Sequence, residues 1–62
     1  MPKRSYLVMF EDTAGRLLAD QVWAHNPAQA KTFLRMRAIE RGVQIRQIVS
    51  VVLAGGGNAR LN

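Results

Sequence analysis

Three stretches of this chain are short, apolar and rich in β-branched or aromatic residues, as strands are, and one between the second and third repeats its apolar residues at helical spacing, so the pattern reads β-β-α-β. Ser5 to Glu11 is the first strand, with Tyr6, Val8 and Phe10 on one side and Leu7 and Met9 on the other. Both sides are apolar, which predicts a central strand or a covered second face. Asp12-Thr13-Ala14-Gly15 has the residues of a type I turn, with Asp opening it and Gly taking positive φ at its end. The turn joins the first strand to a second, Arg16 to His25, as a hairpin.

The hairpin register admits a one-residue slip, which would exchange an inward set of Leu18, Val22 and Ala24 for Leu17, Ala19 and Trp23. The first set is preferred, because a small Ala24 beside the helix start permits close approach. Trp23 then shares the outer face with Leu7, Met9 and Leu17. Asp20 falls on the inner side in this register and is expected near an edge that water reaches.

Val22 to Ala30 is the junction between the hairpin and the helix. Asn26 suits an N-cap, Pro27 the first helical position, and Gln29 the reciprocal position of a capping box. Good helix formers dominate from Ala30 to Arg41, and Gly42 follows as a left-handed stop with Arg41 in the last turn. The predicted helix is Pro27 to Arg41, with Ala30, Phe33, Leu34 and Ala38 on one face. Arg37 lies in the same stripe. The favoured expectation is that its methylenes pack and its guanidinium emerges at the end of the sheet; the alternative is a desolvated arginine waiting for an anion.

Val43 to Ala54 is the third strand, rich in β-branched residues. Val43, Ile45, Val49, Val51 and Leu53 share one parity, and Ile48 and Val52 have the other. Either a bulge near Gln47 turns Ile45 and Ile48 both inward, or both faces are buried. The fold expected is α+β: one domain over residues 1–54, a three-stranded antiparallel sheet in the order 2-1-3, and one helix on one face. Residues 55–62 begin with three glycines and are expected to form a flexible tail. A single helix covers only one side of the sheet. The other side would expose Leu7, Met9, Leu17 and Trp23 with Ile48 and Val52, too much contiguous apolar surface for a comfortable monomer. A homodimer through this face or through an edge strand is therefore expected.

Length sharpens that expectation, since 62 residues are near the lower limit for a chain that folds alone. There is no cysteine, so no disulfide and no thiolate metal site is available, which suits a reducing cytoplasm. The longest apolar runs, Tyr6–Phe10 and Ile48–Ala54, fall far short of the ~20 residues of a membrane span. The formal net charge is +5, and seven of the nine basic residues are arginine. That balance favours a polyanion or an acidic protein as partner.

Catalytic chemistry has little to work with. His25 is the only histidine, Ser5 and Ser50 have no recognisable base beside them, and Glu11 and Asp12 read as a solvated hairpin tip. His25 with Asp20 is too small a set for a metal, and Gly55-Gly56-Gly57 lacks the context of a phosphate loop. No enzyme activity, metal or cofactor is expected, and no motif names a family. The first function expected is a small basic binding protein that contacts DNA or RNA. Trp23 and Tyr6 would stack bases while Lys3, Arg4, Arg16, Lys31, Arg35, Arg37 and Arg46 grip phosphates. The second is a protein-interaction module, an inhibitor or adaptor, that captures a partner on the open face formed by Leu7, Met9, Leu17, Trp23, Ile48 and Val52. Size and charge would suit an accessory protein of a phage or mobile element.

Overall fold

The computed structural model describes residues 2–54. Along them run strand β1 (Arg4–Asp12), strand β2 (Leu17–Ala24), helix α1 (Pro27–Arg41) and strand β3 (Ile45–Leu53). The sheet order is β2-β1-β3 with both neighbour pairs antiparallel, which is the predicted α+β arrangement. The stretch 55–62, expected to be a tail, lies outside the described residues.

The turn chemistry sets the hairpin. Gly15 donates its N–H to the Asp12 carbonyl at 3.0 Å and adopts φ 85°, a conformation that glycine enters without steric cost. Tyr6 then faces Val22, and Phe10 faces Leu18, which puts the preferred inward set on the helix side. Asp12 departs from expectation. It is buried, not a solvated tip: Oδ1 accepts the N–H groups of Ala14 and Arg16 at 3.0 and 2.8 Å, and Oδ2 accepts Arg16 Nε at 2.8 Å. The Arg16 backbone N–H, with its guanidinium in support, holds the Asp12 carboxyl below its ordinary pKa against the opposing effect of burial.

Both ends of α1 are closed by the residues that the sequence singled out. Asn26 Oδ1 accepts the Gln29 N–H at 2.8 Å, and Pro27 opens the first turn. Gln29 Oε1 returns the bond one residue earlier than a standard box, to the N–H of His25 at 2.7 Å. At the other end Gly42 sits at φ 73°, while Gly42 and Val43 donate to the carbonyls of Ile39 and Ala38 at 3.2 and 2.8 Å. This is a Schellman closure, and it aims the chain back toward β3. Thr13 N–H, bonded to the Gln44 carbonyl at 3.2 Å, ties that return to the hairpin turn.

The core lies between α1 and the sheet: Tyr6, Val8, Phe10, Val22 and Ala24 from the hairpin meet Ala30 and Leu34 from the helix. Ala24 and Ala30 are fully buried, and their small side chains let helix and sheet approach closely. On β3 the register against β1 shifts twice, between Met9 and Phe10 and between Glu11 and Asp12, leaving Val49 and Arg46 unpaired. These bulges bring Ile45, Ile48 and Val51 all against the core. Of the two alternatives for β3, the bulged one is therefore found, although with two bulges instead of one.

Candidate interaction surface

The face of the sheet turned away from α1 is uncovered. Its rows follow from the pairing: Trp23 beside Ser5, Gln21 beside Leu7 and Val52, Ala19 beside Met9 and Ser50, Leu17 beside Glu11 and Gln47. Leu7 and Met9, on the central strand, are half-buried by their neighbours, while Leu17, Trp23 and Val52 are exposed, Trp23 to 61%. Polar pairs frame this apolar ground. Gln21 Nε2 donates to Ser5 Oγ at 2.6 Å, and Gln47 Nε2 donates to Glu11 Oε1 at 2.8 Å.

Ile48 does not belong to this surface. The bulge at Val49 pairs Ile48 with Phe10 and turns it to the helix side, where it packs on the core. Parity counted along an unbroken strand put it opposite, and one extra residue reverses that count. Tyr6 is corrected in the same way. It is buried with Val8 and Phe10 beneath the helix and offers no ring to a base.

The basic residues are spread over the molecule. Lys3 and Arg4 are exposed at one end of β1, and Arg16 sits beside the hairpin turn at the other. At strand spacing these ends are about 25 Å apart. Lys31 and Arg35 are exposed one turn apart on α1, and Arg35 borders a hollow with Ile39, Val43 and Ile45 beside β3. The remaining candidates meet acids: Arg16 with Asp12 at 2.8 Å, Arg37 with Asp20 at 2.9 Å, and Arg46 with Glu11 at 4.0 Å. Arg41 also approaches Asp20, at 3.7 Å. Neither expectation for Arg37 describes it fully. Its guanidinium does emerge from the helix stripe, but it meets Asp20 and Gln21 midway along β2 instead of the end of the sheet, and it is not waiting for an anion.

The two edges of the sheet differ. In the β1–β2 ladder Asp12 N–H bonds to the Arg16 carbonyl, and in the β1–β3 ladder Ala54 N–H bonds to the Ser5 carbonyl. Alternation along antiparallel pairs then sends the even residues of β1 to β2 and the odd ones to β3. The backbone groups of Ala19, Gln21 and Trp23 therefore point outward from the β2 edge, as do those of Val51 and Leu53 from the β3 edge. Gln21 is closed by side chains, its N–H by Asp20 Oδ1 at 2.9 Å and its carbonyl by Arg37 Nη1 at 3.0 Å. Among the described residues no side chain closes the outward groups of Ala19 or Trp23 on β2, or of Val51 or Leu53 on β3, so the difference lies at Gln21 alone. Sequence patterning missed this device, although an inward aspartate on a strand is a known signal of a protected edge.

For chemistry beyond binding, the described residues hold no group of three or more His, Asp or Glu placed for a metal ion. None of their helices is long and apolar enough to cross a membrane. A hollow on the helix side is floored by Phe10, Leu18, Leu34 and Val43 and rimmed by the Asp20–Arg37 pair. Among the described residues there is an apolar sheet face, there are outward backbone groups on both outer strands, and Lys31 and Arg35 on a helix flank have no acid within ion-pair distance. Comparison with protein-family models, with curated proteins and with solved structures finds no match to this chain.

Proposed function

We propose that this chain is a small non-enzymatic binding protein that pairs with a second copy through its open sheet face. The observation that supports this most is that Leu7, Met9, Leu17, Trp23 and Val52 share a face with no covering element among the described residues. Two sheets pack face to face about 10 Å apart, so the side chains of one copy reach between those of the other. Trp23 is the natural anchor, since a large exposed aromatic gains most from desolvation at an interface. The framing Ser5–Gln21 and Glu11–Gln47 pairs already satisfy one another, so covering them strands few polar groups. Sedimentation of the wild type and of Leu7→Arg tests the proposal: the substitution places a charge at the centre of the face and separates the copies. A partner protein in place of the second copy would use the same face and respond to the same substitution.

A second proposal, contact with DNA or RNA, draws on Lys31 and Arg35, which have no acidic partner within ion-pair distance among the described residues. In a face-to-face dimer the helices are outermost and carry these cations to solvent. Titrating a labelled oligonucleotide at rising salt checks it. The slope of log affinity against log salt gives the number of phosphates engaged, and Lys31→Glu with Arg35→Glu lowers it by about 2. Affinity that ignores salt removes this role.

A further inference from the structure

We infer that the hollow beside the start of β1 is a binding site for a phosphate monoester, held by the Arg4 guanidinium, the Tyr6 hydroxyl and the His25 imidazole. The site uses no residue of the open face and neither Lys31 nor Arg35, so it stands apart from both readings above.

The hollow follows from the strand pairing. Arg4 pairs with Ala24, the residue before His25, and it has the parity of Tyr6, which places it on the helix side of the sheet. There Pro2, Arg4, Tyr6 and His25 line a space of about 260 Å³. A water takes about 30 Å³ of liquid, so the five heavy atoms of a phosphate group fit with room for the first atoms of its ester.

Tyr6 points to a ligand. It is 7% exposed and its ring packs in the core, yet among the described residues its hydroxyl has no hydrogen-bond partner. A buried tyrosine tip ordinarily has one, because a desolvated hydroxyl left alone is costly. The hollow that Tyr6 lines is where a partner reaches it.

Charge gives the sign of that partner. The chain has four acids, Glu11, Asp12, Asp20 and Glu40, and all lie elsewhere. Glu11 and Asp12 end β1, about 23 Å or more from Arg4 at strand spacing. Asp20 pairs across from Val8 and is held by Arg37, while Glu40 is in the last turn of α1. The first turn of α1, just after His25, carries no acid either, so its positive end adds to the same field. Arg4 has no acid within ion-pair distance among the described residues, unlike Arg16, Arg37, Arg41 and Arg46.

The donors give the class. A guanidinium offers parallel N–H groups, an imidazole keeps an N–H in either protonation state, and the phenol adds an O–H. A phosphate monoester has three free oxygens for such a set, where a carboxylate has two.

The test titrates the full chain with inorganic phosphate at constant ionic strength, with acetate as the control anion, and follows amide resonances by NMR. Phosphate should shift Arg4, Tyr6 and His25 with half-saturation at or below about 1 mM, and acetate should not. Arg4→Gln should lose about tenfold or more in affinity, whereas Lys3→Gln, the same charge change outside the hollow, should stay within about twofold. Tyr6→Phe keeps the ring and removes only the hydroxyl. It should also lose about tenfold, with no fall in the melting temperature of the phosphate-free protein, since the deleted group has no partner there. A 5′-phosphorylated oligothymidylate beside its 5′-hydroxyl form identifies the source. Preference for the phosphorylated end assigns the site to a strand terminus; no preference, with inorganic phosphate still saturating, assigns it to a small free phosphate. The inference is overturned if Arg4→Gln and Lys3→Gln weaken binding alike, or if phosphate and acetate act equally. It is also overturned if Tyr6→Phe leaves affinity unchanged or by itself lowers the melting temperature.

Discussion

Arg37 reaches from α1 to Asp20 on β2, Nη1 to Oδ2 at 2.9 Å, and the same nitrogen donates to the Gln21 carbonyl at 3.0 Å. One side chain thus pins the helix to the strand and closes one of the outward backbone carbonyls of that strand. Both partners are partly exposed, so the ion pair itself adds little, about 0.5–1 kcal/mol in a double-mutant cycle. Its larger consequence concerns association. Replacing both residues, as Asp20→Ala with Arg37→Ala, should leave the melting temperature only slightly lower but raise light scattering on storage, as the uncovered β2 edge pairs with other chains.

Acid should weaken the protein through Asp12. The carboxyl pKa is lowered in the folded chain, chiefly by the Arg16 backbone N–H, so the charged form contributes stability above the ordinary carboxylate value. That contribution declines as pH drops below the ordinary value and is gone once pH has fallen through the lowered folded value. Denaturant unfolding of the wild type and Asp12→Asn across that range checks it: the difference between them should be widest near neutrality and shrink with acid.

The helix ends should respond by familiar amounts. Asn26→Ala removes the acceptor of the Gln29 N–H and should cost about 1 kcal/mol. Gly42→Ala should cost about 1–2 kcal/mol purely through backbone strain, since no atom lies within 4 Å of the added Cβ. Thermal unfolding measures both. A loss at Gly42 much above that range would mean that the Schellman closure supports more than the helix end.

Most of the fold was legible because local rules agreed with the global ones. The Asn26-Pro27 start, the Gly42 stop and the Asp12–Gly15 turn each have a local cause, and they fix the helix and the hairpin. The choice of Val22 and Ala24 over Trp23 as inward residues rested on the room needed beside the helix, and it holds. Ile48 was read both ways, inward with a bulge near Gln47 and outward on an unbroken strand, because a bulge is a pairing event between β1 and β3 and β3 alone does not decide it. Asp12 was misjudged for a related reason: its burial comes from the fold of Arg16 back over the turn. Arg37 and Asp20 are seventeen positions apart, and only the packing of α1 on β2 brings them together. Charge counting registered them as free cation and edge acid.

Within the open face, Trp23 should dominate. Trp23→Ala is expected to weaken association by about 2 kcal/mol, roughly thirtyfold in dissociation constant, with little change in unfolding of the separated chain. Val52→Ala, a smaller truncation on the opposite edge strand, should cost less than about 1 kcal/mol. Concentration-dependent sedimentation separates the two.

Sedimentation equilibrium of the wild type beside Leu7→Arg tests most directly whether the uncovered face is an interface. The expected result is a wild type with the mass of two chains at micromolar concentration and a variant with the mass of one, both with the same far-ultraviolet circular dichroism. A wild type that stays at the mass of one chain up to millimolar concentration, or a Leu7→Arg variant that remains paired, would contradict it.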